Sequence, residues 1–155
     1  MDKTLKAELW DKMQYMFRNY YDRMVHCVHY YDGKLDVKIL KQVLIWTVEK
    51  VPVLHSAFHG NLVEPYWSVE DYTLGDFFIE KDIPVDSNVQ LRVALFHDGD
   101  RDVLAFLVNH MCMDGGDLKY FMKKLAENYN KLLGGDRGLH IKTGSRSYDA
   151  VYSKL

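Results

Sequence analysis

A histidine, an aspartate and a glycine fall within six consecutive residues, His110-Met111-Cys112-Met113-Asp114-Gly115. A neutral imidazole removes a proton from a thiol, amine or hydroxyl near neutral pH, provided its tautomer and position are fixed. A buried carboxylate followed by a glycine, which lets the backbone turn sharply, is one way to fix such a loop. The same six residues also fit a plain polar turn between a strand and a helix. The spacing alone does not separate the two readings.

Other reactive side chains make weaker patterns. His26 and His29 are three apart, and His55 and His59 are four apart. Zinc sites use such pairs when both rings share a face, but no Cys or Glu cluster supports either pair, so no metal site is expected. Cys112 lies two residues from His110, too close within one tight loop for the imidazole to be aimed at its sulfur; a small buried apolar residue is the simpler reading. Gly115 and Gly116 lack the spacing and the Lys-Ser/Thr ending of a phosphate loop.

The elements around His110 are the best marked in the chain. "LRVALFH" and "DVLAFLVN" alternate as two strands joined at Asp98-Gly99-Asp100, a hairpin over residues 91–109. A helix starting at Gly116 or Asp117 carries Leu118, Phe121, Met122, Leu125, Tyr129 and Leu132, and Gly134-Gly135 ends it. Upstream, Leu5, Leu9, Met13, Met16, Phe17 and Tyr20 predict one helix over residues 4–20, with Thr4 as N-cap and the apolar stripe in the core. Residues 23–31 read as a strand ending at Asp32-Gly33. Asp36 caps a second helix that stops near Lys50, before Pro52. Strands are expected at 53–59 and 62–69 around a tight turn at Gly60-Asn61, with another at 77–80 and a loop around Pro84. Residues 136–155 read as a polar tail. The pattern is α+β, with a mixed, mostly antiparallel sheet and helices on one face.

Three stretches together resemble a known family. "VNHMCMDGGDLKYFMKKLAENYNKLL" is similar to the HxxxDG segment of condensation-domain and chloramphenicol acetyltransferase-like acyltransferases. "LRVALFHDGDRDVLAFLV" matches the hairpin that precedes it, and "GKLDVKILKQVLIWTVEKVPVLHSAFHG" resembles the upstream helix and the Pro-x-Leu strand. The matches cover most of residues 24–133. The resemblance implies one lobe of a two-layer sandwich. It also implies acyl transfer from a thioester, on coenzyme A or carrier-protein phosphopantetheine, to an amine, hydroxyl or thiol, as in nonribosomal peptide synthetase condensation domains. His110 would act as general base on the acceptor, or orient it. Asp114 would be structural, held by a cation, and Gly115 would leave room at the loop. The thioester would be a substrate; no permanently bound cofactor is implied.

Two positions depart from the family pattern. Asn109 stands where many condensation domains carry a second histidine. His55 follows Pro-x-Leu where an arginine is common. If that arginine normally balances the motif's aspartate, Arg92 is the first candidate to replace it and His55 the second. Two-lobe members are about three times as long as this chain. Residues 1–155 are therefore expected to form a single lobe, the N-terminal half of a longer protein, with 136–155 as a tail or the start of an inter-lobe connection. The alternative is a lobe completed by another copy. Either arrangement leaves an apolar face for the second lobe or copy to cover. A degenerate, non-catalytic interaction module of the same fold is the competing function.

Bulk properties bound the rest. The 155 residues, 48% hydrophobic and 27% charged, suit one globular domain with a sizeable core. Twenty basic and 22 acidic residues give a net charge of −2, with no basic block for nucleic acid or an anionic membrane. No segment reaches membrane-spanning length and the polar N-terminus is not a signal peptide. Cys27 and Cys112 fit two free thiols in a cytoplasmic protein.

Overall fold

The computed structural model describes residues 3–61, 63–80, 90–147, 149 and 153. Its centre is a four-stranded sheet in the order β2-β7-β6-β5, made from β2 (Met24–Tyr31), β5 (Phe78–Ile79), β6 (Leu91–Asp98) and β7 (Arg101–Asn109). The β6–β7 hairpin and the β2–β7 pair are antiparallel, while the short β5 runs parallel to β6. Gly99, at φ 53°, takes the left-handed position in the hairpin turn, which other residues rarely adopt.

Alternation decides which face is covered. Leu91, Val93 and Leu95 lie opposite Val108, Phe106 and Leu104, and all six are buried in one core cluster. Against them pack Leu40, Val43, Leu44 and Val48 of α2 (Val37–Glu49) and Leu118, Phe121 and Leu125 of α4 (Gly115–Leu133). The i, i+3, i+4 spacing puts these residues on one stripe of each helix. On the opposite sheet face, among the described residues, Ala94 and Ala105 are buried, Phe96, Val103 and Leu107 are half-buried, and Val28 and Tyr30 are exposed. The expected mixed sheet with helices on one face is present.

A second, three-stranded antiparallel sheet has the order β1-β4-β3, from β1 (Thr4–Lys6), β3 (Ser56–His59) and β4 (Tyr66–Val69). It holds a smaller cluster of Val53, Trp67 and Met111. Two expectations fail here. The strand expected at 53–59 begins as a 3-10 turn (Pro52–His55), because Pro52 sits comfortably at the first helical position. The connection at Gly60-Asn61 is longer than a tight hairpin, and Asn61 Oδ1 accepts from the amides of Val63 and Glu64. The strand expected at 77–80 is present as the short β5 (Phe78–Ile79), preceded by a single helical turn, α3 (Leu74–Phe77). The loop expected around Pro84 falls outside the described residues.

The largest departure is at the N-terminus. The single helix expected over 4–20 is strand β1 followed by α1 (Leu9–Met16), N-capped at Glu8 rather than Thr4. Pairing of Thr4, Leu5 and Lys6 with Ser68, Trp67 and Tyr66 captures the first residues into the sheet. Helix α1 is also inverted. Its buried residues are Asp11 and Gln14, whereas Leu9, Met13, Met16, Phe17 and Tyr20 are 59%, 39%, 69%, 47% and 83% exposed. The stripe expected in the core faces outward.

Candidate active site

Strand β7 ends at Asn109, and its last side chain organises the turn that follows. The Asn109 amide donates to Gln90 Oε1 at 2.8 Å and accepts from Met111 N at 3.0 Å, while the Cys112 N–H returns to Asn109 O at 2.8 Å. His110 follows directly. Its N–H donates to Arg23 O at 2.8 Å, tying the turn to the chain just before β2.

Helix α1 supplies the rest of the His110 support. Trp10 Nε1 donates to the His110 carbonyl at 3.0 Å, and the two rings lie 5.4 Å apart at 44°. The imidazole is half-buried, with Nδ1 buried and unpaired among the described residues.

Asp114 is an exposed N-cap. Its Oδ1 accepts from Asp117 N at 2.8 Å, and the Asp117 carboxylate lies 3.5 Å from Asp114 N, so the two form a reciprocal box at the start of α4. Among the described residues neither candidate cation pairs with it. His55 Nδ1 faces the Glu70 carbonyl at 2.9 Å and its ring packs on Tyr72. Arg92 lies on β6 opposite Leu107, where its charge helps hold Asp76 below the usual carboxylate range, after the hydrogen bonds from Thr73. A helix cap needs no cation, because α4's own first amides stabilise the charge. Gly115 begins α4 with open space where a Cβ would stand.

The buried carboxylate near the loop is Asp11, which sequence reasoning missed. Its side chain is 1% exposed. Oδ1 pairs with Arg146 Nη2 at 2.5 Å, and Oδ2 accepts from Trp67 Nε1 at 3.0 Å and Glu8 N at 2.9 Å. The same Arg146 nitrogen lies 3.3 Å from the Met111 carbonyl, and the guanidinium sits 5.7 Å above the Trp67 ring. Nothing local in the sequence announces this pair. Asp11 reads as the polar side of an amphipathic helix, and its partner is 135 residues away.

The polar tail has a definite course. Residues 136–147 run back along α4: Asn128 Oδ1 lies 3.3 Å from His140 N, and Tyr120 OH lies 3.2 Å from Lys142 O. Arg146 then brings the tail to the His110 loop. A cavity of about 510 Å³ opens between the tail, Pro52-Val53 and Met111–Asp114. Cys112 lines it, and burial pushes its thiol pKa strongly upward, which argues against a thiolate nucleophile. Cys27 and Cys112 are unbridged. No group of three metal-ligating side chains occurs among the described residues, and none of their helices is long and apolar enough to cross a membrane.

No family model matches the chain, and no curated protein matches it significantly in sequence. Solved structures do match in fold. Polyketide synthase associated protein 5 from Mycobacterium tuberculosis superposes with a TM-score of 0.75 at 20% identity, covering 97% of this chain and 39% of that one. The first condensation domain of the calcium-dependent antibiotic synthetase, solved with a substrate analogue, gives 0.74 at 19%, covering 98% and 45%. The epimerization domain from the third module of tyrocidine synthetase B gives 0.72 at 14%, covering 99% and 39%. The chain thus has the fold of one condensation-domain-like lobe, spanning about two fifths of the length of these structures.

Proposed function

We propose that this lobe serves acyl transfer from a thioester, carried on coenzyme A or a carrier protein's phosphopantetheine, to an amine, hydroxyl or thiol. His110 acts on the acceptor through Nε2. The observation that carries the reading is a half-buried imidazole on a backbone held from both sides: the His110 amide N–H donates to Arg23 O, the His110 carbonyl accepts from Trp10 Nε1, and the ring lies against the indole. A rigid imidazole at a strand end is what proton transfer or substrate orientation requires.

The unpaired Nδ1 bears on both roles. A base at Nε2 needs its own proton on Nδ1, where no described protein group accepts it, at a cost of about 1–3 kcal/mol. In the orienting role, with the proton on Nε2, Nδ1 is instead a buried unpaired acceptor, which carries a penalty of the same kind. The site is completed by a second lobe or another copy, covering the opposite face of the central sheet and the outward face of α1.

The test is thioester turnover by His110→Ala and His110→Gln in the assembled protein. Loss in both variants supports the base; retention by Gln alone supports orientation. Native turnover in both removes His110 from the chemistry. That outcome leaves for this lobe the second reading, a non-catalytic interaction module, which the exposed N-cap position of Asp114 and the outward apolar stripe of α1 support independently.

A further inference from the structure

Two adjacent residues of α1 reach two adjacent carbonyls of the candidate loop. Trp10 bonds His110 O directly, and Asp11 reaches Met111 O through Arg146. We infer that the Asp11–Arg146 pair is the clamp that positions His110, taking the place that the motif assigns to Asp114. The inference rests on the reading of His110 as the working side chain.

Burial makes the pair a constraint. Asp11 is enclosed, and its three donors come from Glu8 ahead of α1, from Trp67 on β4 and from the tail. A carboxylate removed from water holds its cation closely, because neither partner charge is well solvated once they part. Arg146 is one-third exposed, and its planar fork is already oriented over the Trp67 ring. It therefore cannot leave Asp11 without also releasing the Met111 carbonyl and opening the wall of the cavity. Arg146 and Asp11 are positioning residues; neither touches the imidazole.

The test needs no turnover. Imidazole resonances are followed by NMR in the whole chain, with His110 assigned by its absence in His110→Gln. His97, at the far end of the β6–β7 hairpin, is the internal control. Arg146→Gln leaves a buried charge unpaired, whereas Asp11→Asn leaves a cation able to swing into water, so the second variant is the milder of the two. Displaced or broadened His110 signals are expected in every folded member of the two, with His97 unmoved, and Arg146→Lys restores them in part. In an assembly that turns over thioester, kcat falls about 10–100-fold with little change in KM. Native His110 signals in Asp11→Asn, or a displacement shared equally by His97, overturns the clamp. Unaltered turnover in His110→Ala overturns the reading of His110 as the working side chain and leaves the NMR result standing.

Discussion

Substituting Asp114→Ala separates a helix cap from a buried ion pair. The structure assigns Asp114 one hydrogen bond into α4, to Asp117 N at 2.8 Å, from an exposed carboxylate. Loss of such a cap costs about 1 kcal/mol, within a range of about 0.5–2. Losing its charge at the start of a 19-residue helix adds about 0.3–1 kcal/mol, reduced by salt. The expected total is about 1–2 kcal/mol, or a fall of roughly 2–4 °C in Tm per kcal/mol for a chain of this size. Asp114→Asn retains the cap acceptor and loses only the charge, so it costs about 0.5 kcal/mol. A buried carboxylate with a dedicated cation behaves differently: removing one partner costs about 3–5 kcal/mol, and Asn does not rescue it. Urea unfolding followed by circular dichroism reads both variants, with an unchanged m-value certifying that only stability has moved. A loss above 3 kcal/mol in Asp114→Ala, or equal losses in Ala and Asn, would refute the cap assignment and return Asp114 to the buried role.

Asp102 predicts a pH dependence. Its carboxylate is fully buried at the start of β7, between Leu35 N at 2.9 Å, His97 Nδ1 at 2.7 Å and Lys34 Nζ at 3.0 Å. Burial works to raise its pKa; the Leu35, His97 and Lys34 hydrogen bonds and the Lys34 charge outweigh burial and hold it below the usual range. Its stabilisation is then complete above the unfolded value of about 3.9 and is lost as pH falls through the lower folded value. The stability gap between the native chain and Asp102→Asn should stay open at pH 7 and close below pH ~4; a gap constant down to pH ~2 contradicts the assignment. At the end of α1 and in the turn after it, replacing Met16, Phe17 and Tyr20 together with serine should change folding stability by no more than about 0.5 kcal/mol per site, because all three are well exposed. The same variant should lose any concentration-dependent association seen by sedimentation, and a native chain that stays monomeric at high concentration counts against a covered face.

The hairpin, α2 and α4 were legible because each states its own geometry locally. Alternation in "LRVALFH" and "DVLAFLVN", a glycine at the turn, the Asp36 cap and the Gly134-Gly135 ending all act over a few residues. What misled was non-local. Thr4, Leu5 and Lys6 carry no strand signal of their own, and β4 recruits them from 60 to 64 residues away. Asp11 and Gln14 read as the wet side of a helix until Arg146 and Tyr21 are brought to them. Within the motif, the place of His110 at a strand end was readable, whereas the charge partner was not. His55 turns to a backbone carbonyl, Arg92 stays on its strand, and Asp114 is absorbed by the helix it starts.

The inversion of α1 has a physical consequence. An amphipathic helix normally buries its apolar stripe, and that burial is what holds it. Here the helix buries an ion pair and hydrogen bonds instead, interactions whose net contribution is small once desolvation is counted, even though breaking them is expensive. A helix held this way is well positioned but weakly stabilised, and its outward Leu9, Met13, Met16 and Phe17 provide a reserve of apolar surface for a covering partner. Covering that stripe would stabilise α1, and with it the Trp10 contact to His110. Occupation of the outer face and order at the imidazole are therefore linked: whatever binds the stripe should sharpen the His110 resonances, and a partner that binds without doing so would sit elsewhere on the lobe.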